Sequence, residues 1–355
     1  MLLFLKIGIV LFALTSCIED PVYPILDYSE GSGLFILNQG SFTYGNSSLS
    51  FYDPLKKEVV NNIFYDSNGF PIGDALQSIS LMDSLGFLCV SNSGKILVFN
   101  TNTFKHIATI SGLGSPRYLE IIDKNKAYLS DLYSPSIGII DLVNYKEIGS
   151  IRIGNSSETF ARYGDVLFIN SWSYNNNIYV VNTVNDELVD SIIVRKQPNS
   201  MVLDKNHKLW VLSDGGYEGS PYGQVNAALT RIDADHFKVE KVFEFPDIGN
   251  SPAALSINAI KDSLFFINGG WSGEYSIESG IYAMGISDDT LPFETYIPAD
   301  GRRFYGLAVD AISSSIYCSD ALDFMQRGWV YSFSSEGTPV DTFQVGIGPG
   351  GFGFK

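Results

Sequence analysis

Positive charge is scarce in this sequence. Of its 355 residues, 23 are Lys or Arg and 39 are Asp or Glu, and no cluster of Lys and Arg stands out. The formal net charge is −16. A protein that binds nucleic acid needs concentrated positive charge to meet the phosphates. We therefore expect no nucleic-acid partner.

Cysteine is rare as well, with three residues in the whole chain. Cys17 follows an N-terminal apolar run, whereas Cys89 and Cys318 each lie inside a short apolar stretch of β-rich sequence. That setting is typical of buried thiols. A fold that depends on disulfide bonds is therefore excluded.

No apolar run is long enough to span a bilayer. The N-terminus reads MLLFLKIGIVLFALTSC, in which Lys6 precedes an apolar run from Ile7 to Leu14. A charged start followed by a short apolar run is typical of an export signal. We expect residues 1–16 to be a signal peptide.

The end of that run, Leu14-Thr15-Ser16-Cys17, resembles a bacterial lipobox, where signal peptidase II cleaves before a Cys that then carries lipid. The alternative is an ordinary signal peptide with an incidental Cys. The acidic pair that follows, Glu19 and Asp20, resembles the surface-export signal of Bacteroidota lipoproteins. We expect lipidation at Cys17, a tether over 17–32, and an outer-membrane lipoprotein exposed at the cell surface.

Helical periodicity is absent after Cys17, and a β-rich pattern takes its place. A short run ending in Asn or Asp recurs seven times, about 40 to 55 residues apart. The copies are Leu34–Asn38, Phe87–Asn92, Ala127–Asp131, Leu167–Asn170, Leu209–Asp214, Leu264–Asn268 and Ile316–Asp320. One strand precedes each copy except the first, and two strands joined by an Asn/Asp-rich turn follow each copy. Seven four-stranded units predict an all-β, seven-bladed β-propeller over residues 33–355.

The two ends of this repeat fit together. The first copy, at Leu34, lacks a preceding strand, and the last is followed by VGIGPGGFGFK. We expect this C-terminal strand to become the innermost strand of the first blade and close the ring, which leaves no unpaired edge. A Greek-key sandwich is the alternative fold, but it does not explain seven similar units.

The connections differ between the two ends of the strands. With strands A to D counted from the centre outward, the A–B and C–D turns lie on one face, here called the short-turn face. They are expected to be short throughout, as in DKNK, RYGD and SDDT. The B–C and D–A connections lie on the other, the long-loop face. Some of its B–C loops are long, as from Asn170 to Ile178 and from Asp214 to Leu229.

Aromatic and arginine side chains are concentrated on the long-loop face, among Asn and Gln residues, whereas the short-turn face is expected to lack them. Such a mixture is typical of a ligand site. The candidate ligand-binding residues are Phe42, Tyr44, Arg117, Tyr133, Trp172, Tyr174, Tyr217, Tyr222, Trp271, Tyr275, Arg302, Phe304 and Phe324. The alternative for any one aromatic is that it packs loop against loop.

The seven Asn or Asp residues that end the B strands also have two interpretations. They could surround the central channel and bind a cation, as in calcium-dependent lactonase propellers. They could instead cap the start of each loop through their own side chains. Their presence in all seven blades favours capping, because a binding site is expected to break the symmetry.

The sequence places no catalytic motif and no metal-ligating histidine on the long-loop face. The three histidines, His106, His207 and His236, all fall in or beside short turns, so a histidine-ligated metal is not expected on the other face. No nucleophile elbow, phosphate loop or Cys–His pair is visible. We expect a binding protein with no catalytic residue, metal or cofactor.

Four features together resemble the YncE-like propeller lipoproteins of Bacteroidota, over roughly residues 33–355. They are the lipobox at Cys17, the opening GLFILNQGSF, and the segments NTNTFKHIATI and SPRYLEII. One branch, the BtuG-type proteins, captures cobalamin and passes it to a TonB-dependent outer-membrane transporter. The resemblance thus implies cobalamin or a related corrinoid as ligand and such a transporter as partner. No ligand contact is carried over from the family.

Three other functions remain open on the residues alone. They are surface glycan binding through the same aromatics, cation-dependent hydrolysis at the Asn/Asp ring, and a scaffold that binds another protein.

Overall fold

The structure is a computed structural model that describes Tyr28, residues 32–269 and residues 278–355. The predicted signal peptide and Cys17 lie outside the described residues, and so do Trp271 and Tyr275. No helix in the described part is long and apolar enough to cross a membrane.

Seven four-stranded antiparallel sheets are arranged in a ring, which confirms the seven-bladed β-propeller. Blade 1 contains β28 (Pro349–Phe354), β1 (Leu34–Asn38), β2 (Ser48–Asp53) and β3 (Glu58–Val60). Blade 2 contains β4 (Leu76–Met82), β5 (Leu85–Val90), β6 (Lys95–Asn100) and β7 (His106–Ser111). Blade 3 contains β8 (Pro116–Ile121), β9 (Lys126–Asp131), β10 (Ser136–Asp141) and β11 (Lys146–Arg152).

The other four blades follow in order. Blade 4 contains β12 (Phe160–Tyr163), β13 (Val166–Asn170), β14 (Asn177–Asn182) and β15 (Glu187–Ile193). Blade 5 contains β16 (Pro198–Leu203), β17 (Lys208–Ser213), β18 (Ala228–Asp233) and β19 (Lys238–Glu244). Blade 6 contains β20 (Ala253–Ile257), β21 (Ser263–Asn268), β22 (Gly280–Gly285) and β23 (Ile297–Pro298). Blade 7 contains β24 (Phe304–Val309), β25 (Ile316–Asp320), β26 (Arg327–Phe333) and β27 (Pro339–Ile347).

The ring closes in blade 1, as the two ends of the repeat predict. Strand β28 lies antiparallel to β1, with Leu34 opposite Phe354 and Ile36 opposite Phe352. Beyond the strands, the Lys355 amide donates to the Gly33 carbonyl at 2.8 Å. The innermost strand of the first blade is therefore supplied from the other end of the described chain.

Strand β1 shows why the second strand of each blade is so apolar. Phe35 packs towards blade 2, where its ring meets Phe99 edge-on with centroids 5.7 Å apart. Leu34 and Ile36 pack on the opposite side against blade 7. Because consecutive side chains point to opposite faces and both faces are covered, every residue of β1 is buried.

The turns on the short-turn face are held locally. In three C–D turns, Asp53, Asp141 and Asn182 each accept hydrogen bonds through the side-chain oxygen from the amides two and three residues on. Such Asx turns need nothing from a neighbouring blade. The Asn/Asp-rich spacing predicted this turn chemistry.

Blade 6 departs from the predicted pattern. Its last strand is only Ile297–Pro298, so the C–D connection covers 286–296. A proline has no amide hydrogen to donate to a neighbouring strand. Pro292 lies in this connection, and Pro298 is the last residue of the short strand that follows it. Phe293 in this connection is 89% exposed. The predictions that every C–D turn is short, and that the short-turn face lacks aromatics, are wrong at this blade.

A helix is present in the connection between blades 1 and 2. Helix α1 covers Ile63–Asn68 and buries Ile63 and Phe64 against the core shared by those blades. Its C-terminus is capped by Gly69, whose φ of 74° is the left-handed conformation that glycine adopts without strain. The helix lengthens a connection on the long-loop face.

Candidate functional site

The centre of the long-loop face is built by the first residues of the inner strands. Arg117, the second residue of β8, donates from Nε to Glu158 Oε2 at 2.8 Å and from Nη1 to Gln77 Oε1 at 2.6 Å. Gln77 in turn donates from Nε2 to the Tyr118 hydroxyl at 3.1 Å. These contacts join blades 2, 3 and 4 at the mouth of the central channel.

The ion pair in this group is largely shielded from water. Glu158 is buried, and burial raises the pKa of its carboxyl group above the ordinary value, against the opposing effect of Arg117. Burial also works against the guanidinium charge, but Glu158 beside it leaves the pKa of Arg117 above its ordinary value. Because a buried charge that loses its partner is costly, each residue fixes the other.

On the far side of the channel mouth, Tyr305 of blade 7 donates its hydroxyl to Gln39 Oε1 at 3.0 Å. Gly350 of β28 lies directly against this pair. A β-carbon at residue 350 would overlap the Gln39 amide and come within 2.9 Å of the Tyr305 ring. The glycine therefore permits the close approach of Gln39 and Tyr305.

Four of the predicted aromatics link the loops of blades 4 and 5, three tyrosines through one another and Trp172 through Asp214. The Tyr174 and Tyr222 rings are stacked, with centroids 4.4 Å apart and planes at 24°. A hydrogen bond with Tyr217 raises the pKa of Tyr174. Trp172 donates from its indole nitrogen to Asp214 Oδ2 at 2.9 Å and remains 37% exposed. The structure thus brings Trp172, Tyr174, Tyr217 and Tyr222 together, and it shows them holding loops while still exposed.

Another predicted aromatic, Phe324, links blade 7 to blade 1. Its ring meets Tyr305 edge-on with centroids 4.9 Å apart, and its carbonyl accepts a hydrogen bond from the Ser41 hydroxyl at 2.7 Å. In the same blade 1 loop, Phe42 and Tyr44 are largely exposed, Phe42 to 71%. Phe324 therefore borders the channel mouth, whereas Phe42 and Tyr44 extend into solvent.

Tyr133 stands apart from the other aromatics. It is 80% exposed and borders a groove of about 430 Å³ at blade 3. Asp131, Ser134, Ser136, Glu147 and Ser150 contribute to the lining of this groove. The groove is consequently rich in hydroxyl and carboxylate groups.

Arg302 and Phe304 pack against each other and against other residues of their blade. The Arg302 guanidinium carbon lies 5.5 Å from the centre of the Phe304 ring and 4.8 Å from that of Tyr331. Arg302 also forms an ion pair with Asp300 at 3.0 Å. Phe304 packs on the apolar core shared by blades 6 and 7. The packing interpretation fits this pair better than ligand contact does.

The Asn and Asp residues at the ends of the B strands act as caps and links. Asp131 accepts from the amides of Ser115, Tyr133 and Ser134, and Asn170 donates to the Pro198 carbonyl. Asp320 accepts from the Leu322 amide. In the described part of the chain, no group of three or more His, Cys, Asp or Glu is placed to hold a metal ion. The contacts favour capping.

The histidines lie on the short-turn face, as their positions in the sequence indicate. His207 is in the A–B turn of blade 5, where its Nδ1 is 3.0 Å from the Tyr163 hydroxyl. His236 follows β18 and contacts Asp233. His106 is the first residue of β7. Its ring meets Phe64 and Phe70 of the blade 1–2 connection edge-on, with centroids 6.4 and 5.3 Å apart. Among the described residues, no histidine bonds to the groups at the channel mouth.

Gln77 is the site residue that the sequence did not reveal. It occupies the second position of β4, as Arg117 does in β8 and Tyr305 in β24. The equivalent positions were the available signal, since the second residues of these three strands all take part in the hydrogen bonds of the channel mouth.

A family model described as Domain of unknown function (DUF5074) matches residues 32–348. No curated protein matches the chain. Among solved structures, a quinonprotein alcohol dehydrogenase-like protein from Bacteroides thetaiotaomicron is similar, with TM-score 0.64 and 16% identity over 90% of this chain and 77% of the other.

Two further solved structures have a similar fold. A functionally unknown protein from Desulfotomaculum acetoxidans gives TM-score 0.63 and 12% identity, covering 91% of this chain and 98% of the other. Hydrazine synthase from Kuenenia stuttgartiensis gives TM-score 0.58 and 15% identity, covering 79% and 92%. At these identities the likeness establishes the propeller fold alone.

Proposed function

We propose that this chain, which belongs to the DUF5074 family, is a surface-exposed outer-membrane lipoprotein that binds cobalamin or a related corrinoid on its long-loop face. It hands the ligand to a TonB-dependent outer-membrane transporter. The proposed role is binding without catalysis.

The observation that carries this proposal is the make-up of the long-loop face. Exposed aromatic rings lie on this face in blades 1, 3, 4, 5 and 7, and Phe324 borders the channel mouth formed by Arg117, Gln77, Gln39 and Tyr305. Apolar surface with a few convergent polar groups is the usual composition of a small-molecule site.

A corrinoid suits such a face because it is large and flat, with an apolar rim and many amide side chains. Aromatic rings can cover the apolar rim, and amide and guanidinium groups can bond the side chains. Among the described residues, no histidine takes part in the hydrogen bonds of the channel mouth, so the proposed complex leaves the cobalt its own lower base.

The direct test is to mix the purified protein with cyanocobalamin and follow the coloured ligand on a sizing column. Co-elution with the protein, with an equimolar ratio from calorimetry, is the expected result. Free elution of all the colour at ligand concentrations up to the millimolar range would overturn the corrinoid proposal.

The anchor has its own test. Cys17→Ala removes the acceptor of the lipid that Leu14-Thr15-Ser16-Cys17 predicts. The variant should no longer partition with membranes or incorporate labelled fatty acid, whereas Cys89→Ala should behave as the parent does. A Cys17→Ala protein that still carries lipid would contradict the anchor.

The transporter partner can be sought directly. Solubilised outer membranes should yield a TonB-dependent transporter that co-purifies with the tagged protein and is identified by mass spectrometry. Its absence from crosslinked and uncrosslinked preparations alike would count against the hand-over.

Surface glycan binding is the second candidate, favoured by the groove beside Tyr133. An exposed aromatic next to Asp131, Glu147 and three serines is a common arrangement for stacking a sugar ring and bonding its hydroxyls. Glycan-array binding that Tyr133→Ala abolishes, without any binding of cyanocobalamin, would move this function to first place.

A further inference from the structure

Six of the seven inner strands begin with the same irregularity. Strands β28, β4, β8, β16, β20 and β24 each shift register after their first residue at the long-loop end. A bulge of this kind re-aims side chains and is frequent beside functional sites. The second residues of these strands are Gly350, Gln77, Arg117, Asn199, Ala254 and Tyr305. The bulges are therefore part of how the channel mouth presents its polar groups.

This ring of second residues is strongly asymmetric. Blades 2 and 3 contribute Gln77 and Arg117, whereas blades 6 and 1 contribute Ala254 and Gly350. Ala254 packs against the apolar core shared by blades 6 and 7, and Gly350 lies against Gln39 and Tyr305. A binding site is expected to break the symmetry of a repeat in this way.

The acceptor atoms of the cluster are partly used. Gln77 Oε1 accepts one hydrogen bond from Arg117, and Gln39 Oε1 accepts one from Tyr305. Glu158 Oε2 accepts from Arg117, while its Oε1 is buried without a hydrogen-bond partner among the described residues. Each of the two amide oxygens therefore has one lone pair committed and one left.

Several donors, in contrast, are unused among the described residues. Arg117 Nη2 and Gln39 Nε2 make no hydrogen bond there. The Tyr118 hydroxyl accepts from Gln77, so its own hydrogen is available to a further acceptor. The channel mouth therefore offers mainly donors, and the group that complements it is an oxygen acceptor.

The charge at this position decides what kind of oxygen fits. Arg117 is compensated by Glu158 at 2.8 Å, so the pair is neutral overall. A ligand carboxylate or phosphate would bring a second negative charge close to a buried carboxylate, in a chain of net charge −16. A neutral carbonyl oxygen meets the same donors without that repulsion.

We propose that the Arg117–Glu158–Gln77–Tyr118 cluster, with Gln39 opposite, is a subsite for a neutral carbonyl oxygen, and that on a corrinoid it takes one side-chain carboxamide. This inference rests on the proposed function and adds the part of the ligand that is recognised and the residues that select it. Glu158 is a specificity-determining residue, because it makes the site reject an anionic group.

The test compares cyanocobalamin with its separated monocarboxylates, in each of which one carboxamide is hydrolysed to a carboxylate. By calorimetry, the parent protein should bind at least one monocarboxylate about tenfold or more weakly than cyanocobalamin. Glu158→Gln keeps the shape but removes the negative charge, so Arg117 is no longer compensated. For that same isomer, the variant should lose or invert the preference.

Glu218→Gln is the matched control, since it removes the same charge from an exposed residue of the blade 5 loop on the same face. It should leave the preference unchanged. Equal preference in the parent and Glu158→Gln, or an equal shift in both variants, would overturn the subsite while leaving cobalamin binding intact. A parent protein that binds no cyanocobalamin would overturn the proposed function together with the subsite.

If Glu158→Gln melts well below the parent, Tyr118→Phe provides a second test of the subsite. It removes one donor and no charge, so affinity for cyanocobalamin should fall about fivefold or more, with the preference against the carboxylate retained. Unchanged affinity in a folded Tyr118→Phe protein would contradict the placement of the carboxamide.

Discussion

The two faces of this propeller are built from the same strands and differ in how their blades are joined. On the short-turn face, Asp141 and similar residues close their own turns, and neighbouring blades are joined in pairs, as by Lys126 with Asp186 and Tyr163 with His207. On the long-loop face, loops also join neighbouring blades, as from Trp172 to Asp214, and polar groups of blades 2, 3 and 4 meet in one cluster. A face on which several blades share one cluster can position side chains around one ligand.

Exposed aromatics alone do not distinguish the faces. Phe293 on the short-turn face is more exposed than any described aromatic of the long-loop face. What the long-loop face adds is convergence, because polar side chains of several blades meet at the channel mouth, with Phe324 beside them. The comparison therefore predicts different outcomes for similar substitutions on the two faces.

The largest effect is expected from removing the C-terminal strand β28, which closes the ring and so supports both faces. Deleting residues 346–355 strips blade 1 of its inner strand β28 and exposes the edge of β1. We expect loss of the cooperative thermal transition, measured by circular dichroism.

The control for this deletion moves the strand instead of removing it. Because Lys355 bonds Gly33, residues 346–355 fused ahead of Gly33 through a two-residue turn could pair with β1 as a hairpin. This variant should regain the transition. A simple deletion that melts within a few degrees of the parent would contradict closure by β28.

The next effect contrasts one aromatic from each face. Trp172→Ala should weaken cyanocobalamin binding by ~2 kcal/mol or more, about thirtyfold, as is typical for a buried anchor at a binding face. Phe293→Ala, on the other face, should leave affinity unchanged. Calorimetry gives the affinities, and melting temperatures near the parent confirm the fold.

Trp172→Phe sharpens this result, because it retains an aromatic ring and removes the hydrogen bond to Asp214. Affinity near the parent in this variant would assign the effect to the ring. Unchanged affinity in Trp172→Ala, together with a large drop in melting temperature, would show that Trp172 packs loops and does not bind. Trp271→Ala should resemble Trp172→Ala if it is also an anchor.

A smaller effect should separate cross-blade bonds from local ones. Asp131→Ala removes an acceptor from three backbone amides at a buried position, one of them in the connection from blade 2. We expect a loss of about 2 kcal/mol or more in the free energy of unfolding. Asp141→Ala removes only hydrogen bonds within its own turn, so the loss in its free energy of unfolding should be smaller. Urea unfolding measures the loss for both variants. An equal loss in the two variants would contradict the difference expected between them.

The smallest effect is expected for the two cysteines in the blades, Cys89 and Cys318, which lie between the faces and should react little with a thiol reagent. Burial raises the pKa of Cys89 to about 12, and that of Cys318 is raised for the same reason. Both thiols are buried and free. The reactive thiolate is therefore scarce at pH 8, and native protein lacking Cys17 should not react with a thiol reagent until it is denatured. Rapid labelling of the native protein would show that the blades open locally.

The fold could be predicted from the sequence because each blade repeats its own signals. Runs such as Leu34–Asn38 mark strands covered on both sides, and the Asn/Asp turns mark their connections. The spare strand after Gly346 predicted the closure in blade 1. These features are local in the chain, so the pattern of residues is enough to find them.

The candidate site could be predicted only in part, because its contacts cross from blade to blade. Arg117 was identified from its loop position, but its partner Gln77 lies 40 residues earlier along the chain, and a register shift turns both towards the channel. The stacking of Tyr174 on Tyr222 likewise depends on the angle between two blades. Neither the register shifts nor the angle between blades follows from the local pattern of residues.

Closure by β28 also has a consequence for how the protein folds. About 300 residues separate β1 from the strand that pairs with its inner edge, whereas every other blade is continuous in sequence. A chain that folds from its N-terminus therefore keeps blade 1 incomplete until β28 arrives. During that time the apolar edge of Leu34–Asn38 is open to pairing with another unfolded chain, so the order in which the two ends meet sets a period of exposure to aggregation that no other blade has.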